Sequence, residues 1–440
     1  MRSTEPGRQH RKVCSRGAAT AAITVLAAGA LAACSTGSGL KINLYVSPEN
    51  NLQHVVDECT KAAQGRYEIV YHKLPRSADG QREQMVRRLA AGDTSLDVLG
   101  LDVTWVPEFA EAGWVEEWTG AAQAEAVRDV LQGPLSTARW NGKLYAATKH
   151  TNVQLLWYDD RVVGQPPKTF EAMMALAQQL KTQGKAHNIV FTGAQYEGLV
   201  VFYNTLVASA GGHILSDDGK SVVMDEGAVR ALELLKTLTT AGITDPSLAN
   251  QKEDEVRQAF QRGQAALELN WPYVYASYSK EKPQDLAHVR WTRYPSVVPG
   301  EPSRVTIGGF NLAVSTFSPH KPEAFEAALC LRRAESQKYQ AVEDGLAPTI
   351  ASVYDDTTPL DPTRPAAANN PTMQGQFPMK ADILAALAHA AIRPLTPAYQ
   401  SLSTVISKVL SPPSEIDPRA TADELRKRLT DALNSKDIIP

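Results

Sequence analysis

Polar side chains follow two apolar segments that alternate like β-strands. Glu49 and Asn50 come shortly after "KINLYV", and Asp102 ends "LDVLGLD". The carboxyl ends of parallel strands meet along one edge of a sheet, and ligands usually bind beside that edge. Carboxylate and amide groups there can exchange hydrogen bonds with a polar ligand. The positions of these residues therefore predict a binding cleft at the strand ends.

Aromatic residues follow a further apolar strand in "ALELNWPYVYA", residues 266–276. Trp271 precedes Pro272, and proline disfavours the helical conformation for the residue before it, so the chain breaks here. The rings of Trp271 and Tyr273 could then face the cleft and cover the apolar surface of a ligand. Aromatic residues belong more often to a core, and that alternative stays open.

Motifs for other chemistry are missing from the sequence. No His/Cys cluster has metal-ligand spacing, and no Gly-x-Ser-x-Gly motif is present, so neither a metal nor another cofactor is predicted. In "GHILSDDGKS", Ile214 stands where a phosphate-binding loop needs its first glycine, so we expect a hairpin turn at residues 217–219. Asp102, Glu197 and Glu268 leave a glycoside hydrolase open as an alternative, because such enzymes use paired carboxylates.

The elements that must position these residues alternate in type. Residues 41–46, 67–74 and 96–102 are typical of strands, and residues 51–64 and 80–93 are typical of helices. This βαβαβ order predicts an α/β fold with a parallel sheet. Extended segments at 142–159 precede a new set of helices, and a strand returns after 303–309, so we expect the chain to cross between two lobes.

Composition indicates a globular protein of more than one core. The chain has 440 residues, of which 43% are hydrophobic and 21% charged. The first 33 residues carry five Lys/Arg and one Glu, so the formal net charge of the rest is −7, against −3 for the whole chain. This acidic balance disfavours nucleic acid as a partner.

The N-terminal region resembles a bacterial lipoprotein signal. Basic residues precede an uncharged apolar run at 17–33, and "LAAC" ends at Cys34. The resemblance implies that Cys34 is lipidated and anchors the protein to the membrane from its extracytoplasmic side. A retained transmembrane anchor or an ordinary cleaved signal are the alternatives. Beyond Cys34 only Cys59 and Cys330 remain, and they are either a disulfide or two small buried residues.

Three longer segments resemble the carbohydrate-binding proteins of ABC importers, the extracellular solute-binding protein family 1. They are "LDVLGLDVTWVPEFAEAGWVEEWT", "HTNVQLLWYDDRVV" and residues 307–356. The resemblance implies a two-lobe periplasmic-binding-protein fold with hinge crossings, no enzymatic activity, and partnership with permease subunits and a cytoplasmic ATPase. We expect a monomer apart from the transporter. The chain is most similar to mycobacterial trehalose-binding lipoproteins, which implies trehalose; maltose or another oligosaccharide stays open.

The resemblance also defines domains and a binding set. We expect a signal peptide at 1–33, a tether at 34–40, lobe 1 at 41–149 and 304–355, and lobe 2 at 150–303 and 356–440. Asp102, Asn152 and Arg393 match cleft positions of the family, and a structural salt bridge is the alternative for Arg393. The full predicted binding set is Glu49, Asn50, Gln81, Asp102, Asn152, Glu197, Trp271, Tyr273, Gly309, Phe310 and Arg393.

Overall fold

The computed structural model describes residues 39–434. The predicted signal peptide, Cys34 and the first part of the tether lie outside these residues. None of the described helices is both long enough and apolar enough to cross a bilayer.

The described elements are bounded as follows. The strands are β1 Lys41–Val46, β2 Glu68–Lys73, β3 Val98–Asp102, β4 Arg139–Trp140, β5 Lys143–Leu144, β6 Ala147–Asn152, β7 Leu155–Asp159, β8 Asn188–Val190, β9 Ala265–Asn270, β10 Val289–Thr292 and β11 Gly308–Val314. The helices are α1 Leu52–Ala62, α2 Ala78–Ala90, α3 Val106–Glu111, α4 Gly120–Ala126, α5 Gln132–Thr137, α6 Phe170–Thr182, α7 Glu197–Ser209, α8 Glu226–Thr240, α9 Glu253–Gln261, α10 Tyr273–Glu281, α11 Lys321–Arg332, α12 Ala334–Asp344, α13 Met373–Gln376, α14 Lys380–Leu387, α15 Tyr399–Val409 and α16 Pro418–Leu433.

The first sheet has five strands in the order β2-β1-β3-β11-β6. β1 pairs in parallel with both β2 and β3, as the βαβαβ pattern predicts. β11 returns late in the chain and pairs antiparallel with β3 and β6. The sheet therefore combines segments from both ends of the sequence.

The second sheet has four strands in the order β10-β7-β9-β8. All six residues of β9 are buried, as expected for an inner strand that is covered on both faces. The chain reaches this sheet directly, because β6 of the first sheet ends at Asn152 and β7 begins at Leu155. The crossing at residues 153–154 lies inside the extended stretch 142–159, because pairing with β11 keeps residues 147–152 in β6.

Each sheet has its own hydrophobic core. One core surrounds Leu44, Val98 and Trp118, and the other surrounds Trp157, Leu206 and Leu267. A chain of this length is expected to have more than one hydrophobic core, and two are present. The two sheets form two lobes. The domain boundaries given above remain a prediction.

Cys59 of α1 and Cys330 of α11 form a disulfide, with their Cα atoms 5.8 Å apart. Both helices pack against the first sheet, although the two cysteines are 271 residues apart in sequence. The predicted turn at residues 217–219 also forms: Leu215 and Val222 make an antiparallel bridge, and Gly219 has φ +68°.

Candidate functional site

The start of β11 brings several of the predicted residues together. Phe310 lies opposite Asp102 on β3, and Gly308 lies opposite Asn152 on β6. Just before β11, the Ile307 N–H donates to the carbonyl of Ala391 at 2.8 Å. That bond places the loop carrying Arg393 beside the sheet, so residues separated by almost 300 positions meet at one strand end.

Arg393 lies between two carboxylates. Its Nη1 is 2.5 Å from Oε1 of Glu197, and its Nη2 is 3.0 Å from Oδ1 of Asp102. The arginine side chain is 2% exposed, and Asp102 and Glu197 are 14% and 11% exposed. Burial would lower the pKa of Arg393, but the nearby Asp102, Tyr399 and Glu197 outweigh it and raise the pKa. The guanidinium therefore stays charged.

Glu197 receives two further hydrogen bonds. Tyr399 donates its hydroxyl to Oε1 at 2.6 Å, and Ser403, one turn later on α15, donates to Oε2. Burial raises the pKa of Glu197, although Arg393 and both hydroxyls oppose that effect. Glu197 is also the first residue of α7, where the helix dipole favours a negative charge. We call Asp102, Glu197, Arg393, Tyr399 and Ser403 the arginine cluster.

A second buried cluster surrounds Glu49. Its Oε2 is 2.6 Å from Nζ of Lys149 and accepts a 2.5 Å hydrogen bond from Nε2 of Gln340, while Nε2 of His150 lies 3.4 Å from Oε1. Burial would raise the pKa of Glu49, but Lys149 and His150 outweigh it and lower the pKa to about 2. We call Glu49, Lys149, His150 and Gln340 the lysine cluster.

Trp271 stands against the first residue of β11. A Cβ atom added to Gly308 would lie 3.0 Å from Cη2 of the Trp271 ring, so only glycine fits easily beneath it. Trp271 is half-buried. The aromatic surface thus lies next to the strand that carries Gly309 and Phe310.

Gly309 has a structural reason to be glycine. Its φ is +128°, and an added Cβ would lie 2.3 Å from the carbonyl oxygen of His150. Phe310 is half-buried, and its ring centroid is 5.5 Å from that of His150. The close pairing of β11 with β6 therefore accounts for Gly309 without any ligand.

Five predicted binding residues carry a buried polar atom that has no hydrogen-bond partner among the described residues. These atoms are Glu49 Oε1, Gln81 Oε1, Asn152 Oδ1, Tyr273 Oη and Arg393 Nε. A buried polar atom without a partner costs about 1–3 kcal/mol. Of the five, Asn152 Oδ1 and Arg393 Nε lie beside the start of β11, where the hydroxyl groups of one ligand could bond to both.

Tyr273 packs against Arg257 of α9, whose guanidinium carbon lies 6.0 Å from the centroid of the tyrosine ring, and two further predicted residues are also not joined to the others. Asn50 is exposed, and its side chain makes no hydrogen bond within residues 39–434. Gln81 is buried on α2, where its Nε2 donates to the carbonyl of Arg76 at 3.3 Å. The described contacts link neither residue to the arginine or lysine cluster.

Residues missed by the sequence analysis complete both clusters. Tyr399 and Ser403 are four positions apart, which places them on one face of α15, and this spacing is the only signal that the sequence offers. Lys149 and Gln340 gave no comparable signal. In the described part of the chain, no group of three His, Cys, Asp or Glu residues could hold a metal ion.

A profile of the bacterial extracellular solute-binding proteins matches residues 51–338. The chain belongs to this family. Solute-binding proteins are non-enzymatic, so the glycoside hydrolase alternative is wrong.

One relative of this solute-binding protein is a Deinococcus radiodurans protein named "Probable ABC transporter-binding protein". The two are 28% identical over 317 residues, which cover 68% of this chain and 74% of the relative. The match spans most of both proteins.

Solved structures share the fold of this solute-binding protein. Maltose-bound T. maritima MalE3 is 25% identical, has a TM-score of 0.78, and aligns over 89% of this chain and 99% of its own. The GacH receptor of Streptomyces glaucescens, solved unliganded and with acarbose, is 19% identical, has a TM-score of 0.73, and aligns over 90% of this chain and 99% of its own. The predicted two-lobe α/β periplasmic-binding-protein fold is confirmed.

Proposed function

We propose that this solute-binding protein captures a disaccharide of the trehalose type between its two lobes and delivers it to an ABC importer. The site is formed by the arginine cluster, Trp271 and the start of β11. The two lobes close over the sugar, and hinge movement occurs at the crossings near residues 152–155 and 303–309. The partners are permease subunits with a cytoplasmic ATPase.

The observation that supports this most directly is a pair of buried polar atoms beside the start of β11, Asn152 Oδ1 and Arg393 Nε, which have no hydrogen-bond partner among the described residues. A disaccharide is neutral and presents many hydroxyl groups, so it can satisfy these atoms without bringing a charge into the site. The Trp271 ring can cover the apolar C–H face of a sugar at the same time. A guanidinium can donate to two hydroxyls at once, which suits Arg393.

The sugar class has further support from the comparisons. MalE3 was solved with maltose, and the GacH receptor was solved with acarbose. Trehalose itself rests on the resemblance of the sequence to mycobacterial trehalose-binding lipoproteins. Maltose is the second candidate, because the maltose-bound structure aligns over nearly its entire length.

Calorimetry with trehalose, maltose and a non-α-linked disaccharide tests the proposal. We expect trehalose to bind most tightly. Trp271→Ala, Asp102→Ala and Arg393→Ala should each weaken binding by roughly 5- to 150-fold, because each removes contacts worth about 1–3 kcal/mol. Lys185→Ala is the control, since Lys185 is exposed on the surface and should leave the affinity unchanged. Full affinity in all three cleft variants would place the site elsewhere.

We further propose that the protein is anchored to the extracytoplasmic face of the membrane by acylation of Cys34. Several acyl chains bind a bilayer firmly without a spanning helix. Mass spectrometry of the membrane fraction should find a lipid-modified peptide that begins at Cys34. A mature chain that begins at another residue would contradict the anchor.

A further inference from the structure

Glu268 is a buried acid in the middle of the second sheet. It lies on β9, opposite Trp157 of β7 and Val190 of β8, and its side chain is 0% exposed. A buried carboxyl group costs free energy that an apolar residue such as leucine would not. Glu268 lies three residues before Trp271, and we asked which contacts account for a buried acid at this position.

A chain of hydrogen bonds connects Glu268 to Trp271. Asn270 donates its Nδ2 to Oε1 of Glu268 at 2.7 Å, and its Oδ1 accepts the backbone N–H of Trp271 at 2.8 Å. The same Nδ2 also donates to the carbonyl of Glu253 at 3.1 Å. Both ends of the Asn270 carboxamide are therefore engaged, and its orientation fixes the backbone where the chain leaves the strand.

We propose that Glu268 is a positioning residue for the sugar site: it orients the Asn270 carboxamide, which in turn holds Trp271 with its ring over Gly308. This inference rests on the proposed function, because it assigns Glu268 an effect on sugar affinity through Trp271. Glu268 itself is fully buried in the sheet, so its effect on the sugar would pass through Trp271.

The charge state of Glu268 gives this role a measurable signature. Burial raises its pKa to about 8, although the bond from Asn270 and the charge of Arg257 oppose that effect. The titratable groups facing it are Arg257 of α9 and Tyr273 and Tyr278 of α10, and burial raises the pKa of both tyrosines. The neighbouring strands contribute Trp157 and Val190, which do not titrate.

With its pKa raised to about 8, Glu268 is mostly protonated at pH 7 and ionises as the pH rises through that value. Arg257 cannot compensate fully, because its Nη1 is already 2.6 Å from Oε2 of Glu281. A charge inside the sheet should disturb β9 and its connection to Trp271. Sugar affinity should accordingly fall as the pH rises through about 8.

The test compares two variants by calorimetry from about pH 6 to about pH 9. Glu268→Gln keeps an acceptor for Asn270 and stays neutral, so it should bind trehalose within about twofold of the unmutated protein at pH 7 and lose the alkaline decrease. Glu268→Leu removes the acceptor and should weaken binding by roughly 5- to 20-fold at every pH.

Thermal unfolding shows whether Glu268 positions Trp271 or only stabilises the fold. Glu268→Leu leaves one N–H of Asn270 without an acceptor but also removes the cost of a buried carboxyl group, so its unfolding temperature should change little while it binds the sugar more weakly. Tryptophan fluorescence, with Trp271→Phe to identify the signal of Trp271, should change in Glu268→Leu and remain unchanged in Glu268→Gln. If Glu268→Leu does not fold, the pH profile of Glu268→Gln decides alone.

The outcomes distinguish the two proposals. If the unmutated protein binds none of the disaccharides, the proposed function fails. If it binds trehalose, but Glu268→Gln shows the same alkaline decrease and a folded Glu268→Leu binds with full affinity, then Glu268 does not position Trp271.

Discussion

The arginine and lysine clusters are both buried, yet they join different parts of the molecule. The arginine cluster links Asp102 on β3 of the first sheet to α7 and α15, which pack on the second core. The lysine cluster links the segment after β1 to β6 and to α12. Arg393 therefore bonds to residues of both lobes, whereas Lys149 links the elements beside the crossing.

The electrostatics of the clusters differ in the same way. Arg393 serves two carboxylates, and the pKa of Glu197 stays raised by burial and by the negative charge of Asp102. Lys149 serves one carboxylate, and the pKa of Glu49 falls to about 2. Arg393 has an Nε without a hydrogen-bond partner among the described residues, so it can donate to a ligand. Lys149 is bonded to Glu49 and Gln340, an arrangement suited to stabilising the fold.

The largest effects should come from removing each cation. Arg393→Met and Lys149→Met each leave a buried carboxylate without its partner, so each should lower the free energy of unfolding by about 3–5 kcal/mol. Chemical denaturation measures this loss. Sugar affinity then separates the clusters: we expect a decrease of at least ~10-fold for Arg393→Met and less than ~5-fold for Lys149→Met. Equal losses of affinity would remove the distinction.

The pH dependence of stability should have opposite signs in the two clusters. The folded pKa of Glu49, about 2, lies below its ordinary value of 4.5, so its stabilising contribution is present above pH 4.5 and is lost as the pH falls toward 2. The raised pKa of Glu197 has the opposite effect: its contribution is complete below 4.5 and is lost as the pH rises through the folded pKa.

Denaturation of Glu49→Gln and Glu197→Gln between about pH 3 and about pH 7 measures these slopes. The deficit of Glu49→Gln should grow with pH, by on the order of 2–3 kcal/mol at most. The deficit of Glu197→Gln should shrink over the same range. Parallel slopes would show that the two acids do not differ in this way.

The smallest effect should come from a single hydroxyl of the arginine cluster. Tyr399→Phe removes the 2.6 Å hydrogen bond to Glu197 and should reduce the free energy of unfolding by about 1–2 kcal/mol. Tyr145→Phe is a matched control, because the Tyr145 hydroxyl makes no hydrogen bond within residues 39–434 and that residue is half-buried. An equal loss in both variants would mean that this bond adds nothing to the cluster.

Local patterns in the sequence predicted the elements and several site residues separately. The alternation at residues 41–46 and 96–102 gave β1 and β3, and the strand ends pointed to Asp102 and Glu49. The ion pair of Arg393 with Asp102 joins residues 291 positions apart, and no local pattern carries that information. Lys149 lies in a strand where a charged residue suggests solvent, and only its partners at positions 49 and 340 explain its burial.

The Cys59–Cys330 disulfide closes a covalent ring around more than half of the chain. All four strands of the second sheet, from Leu155 to Thr292, lie between the two cysteines. A protease that cuts once in a loop of this region opens the ring but releases no fragment. The nicked protein therefore stays in one piece until the disulfide is reduced, so outside the cell a single cut need not separate the two halves of the site.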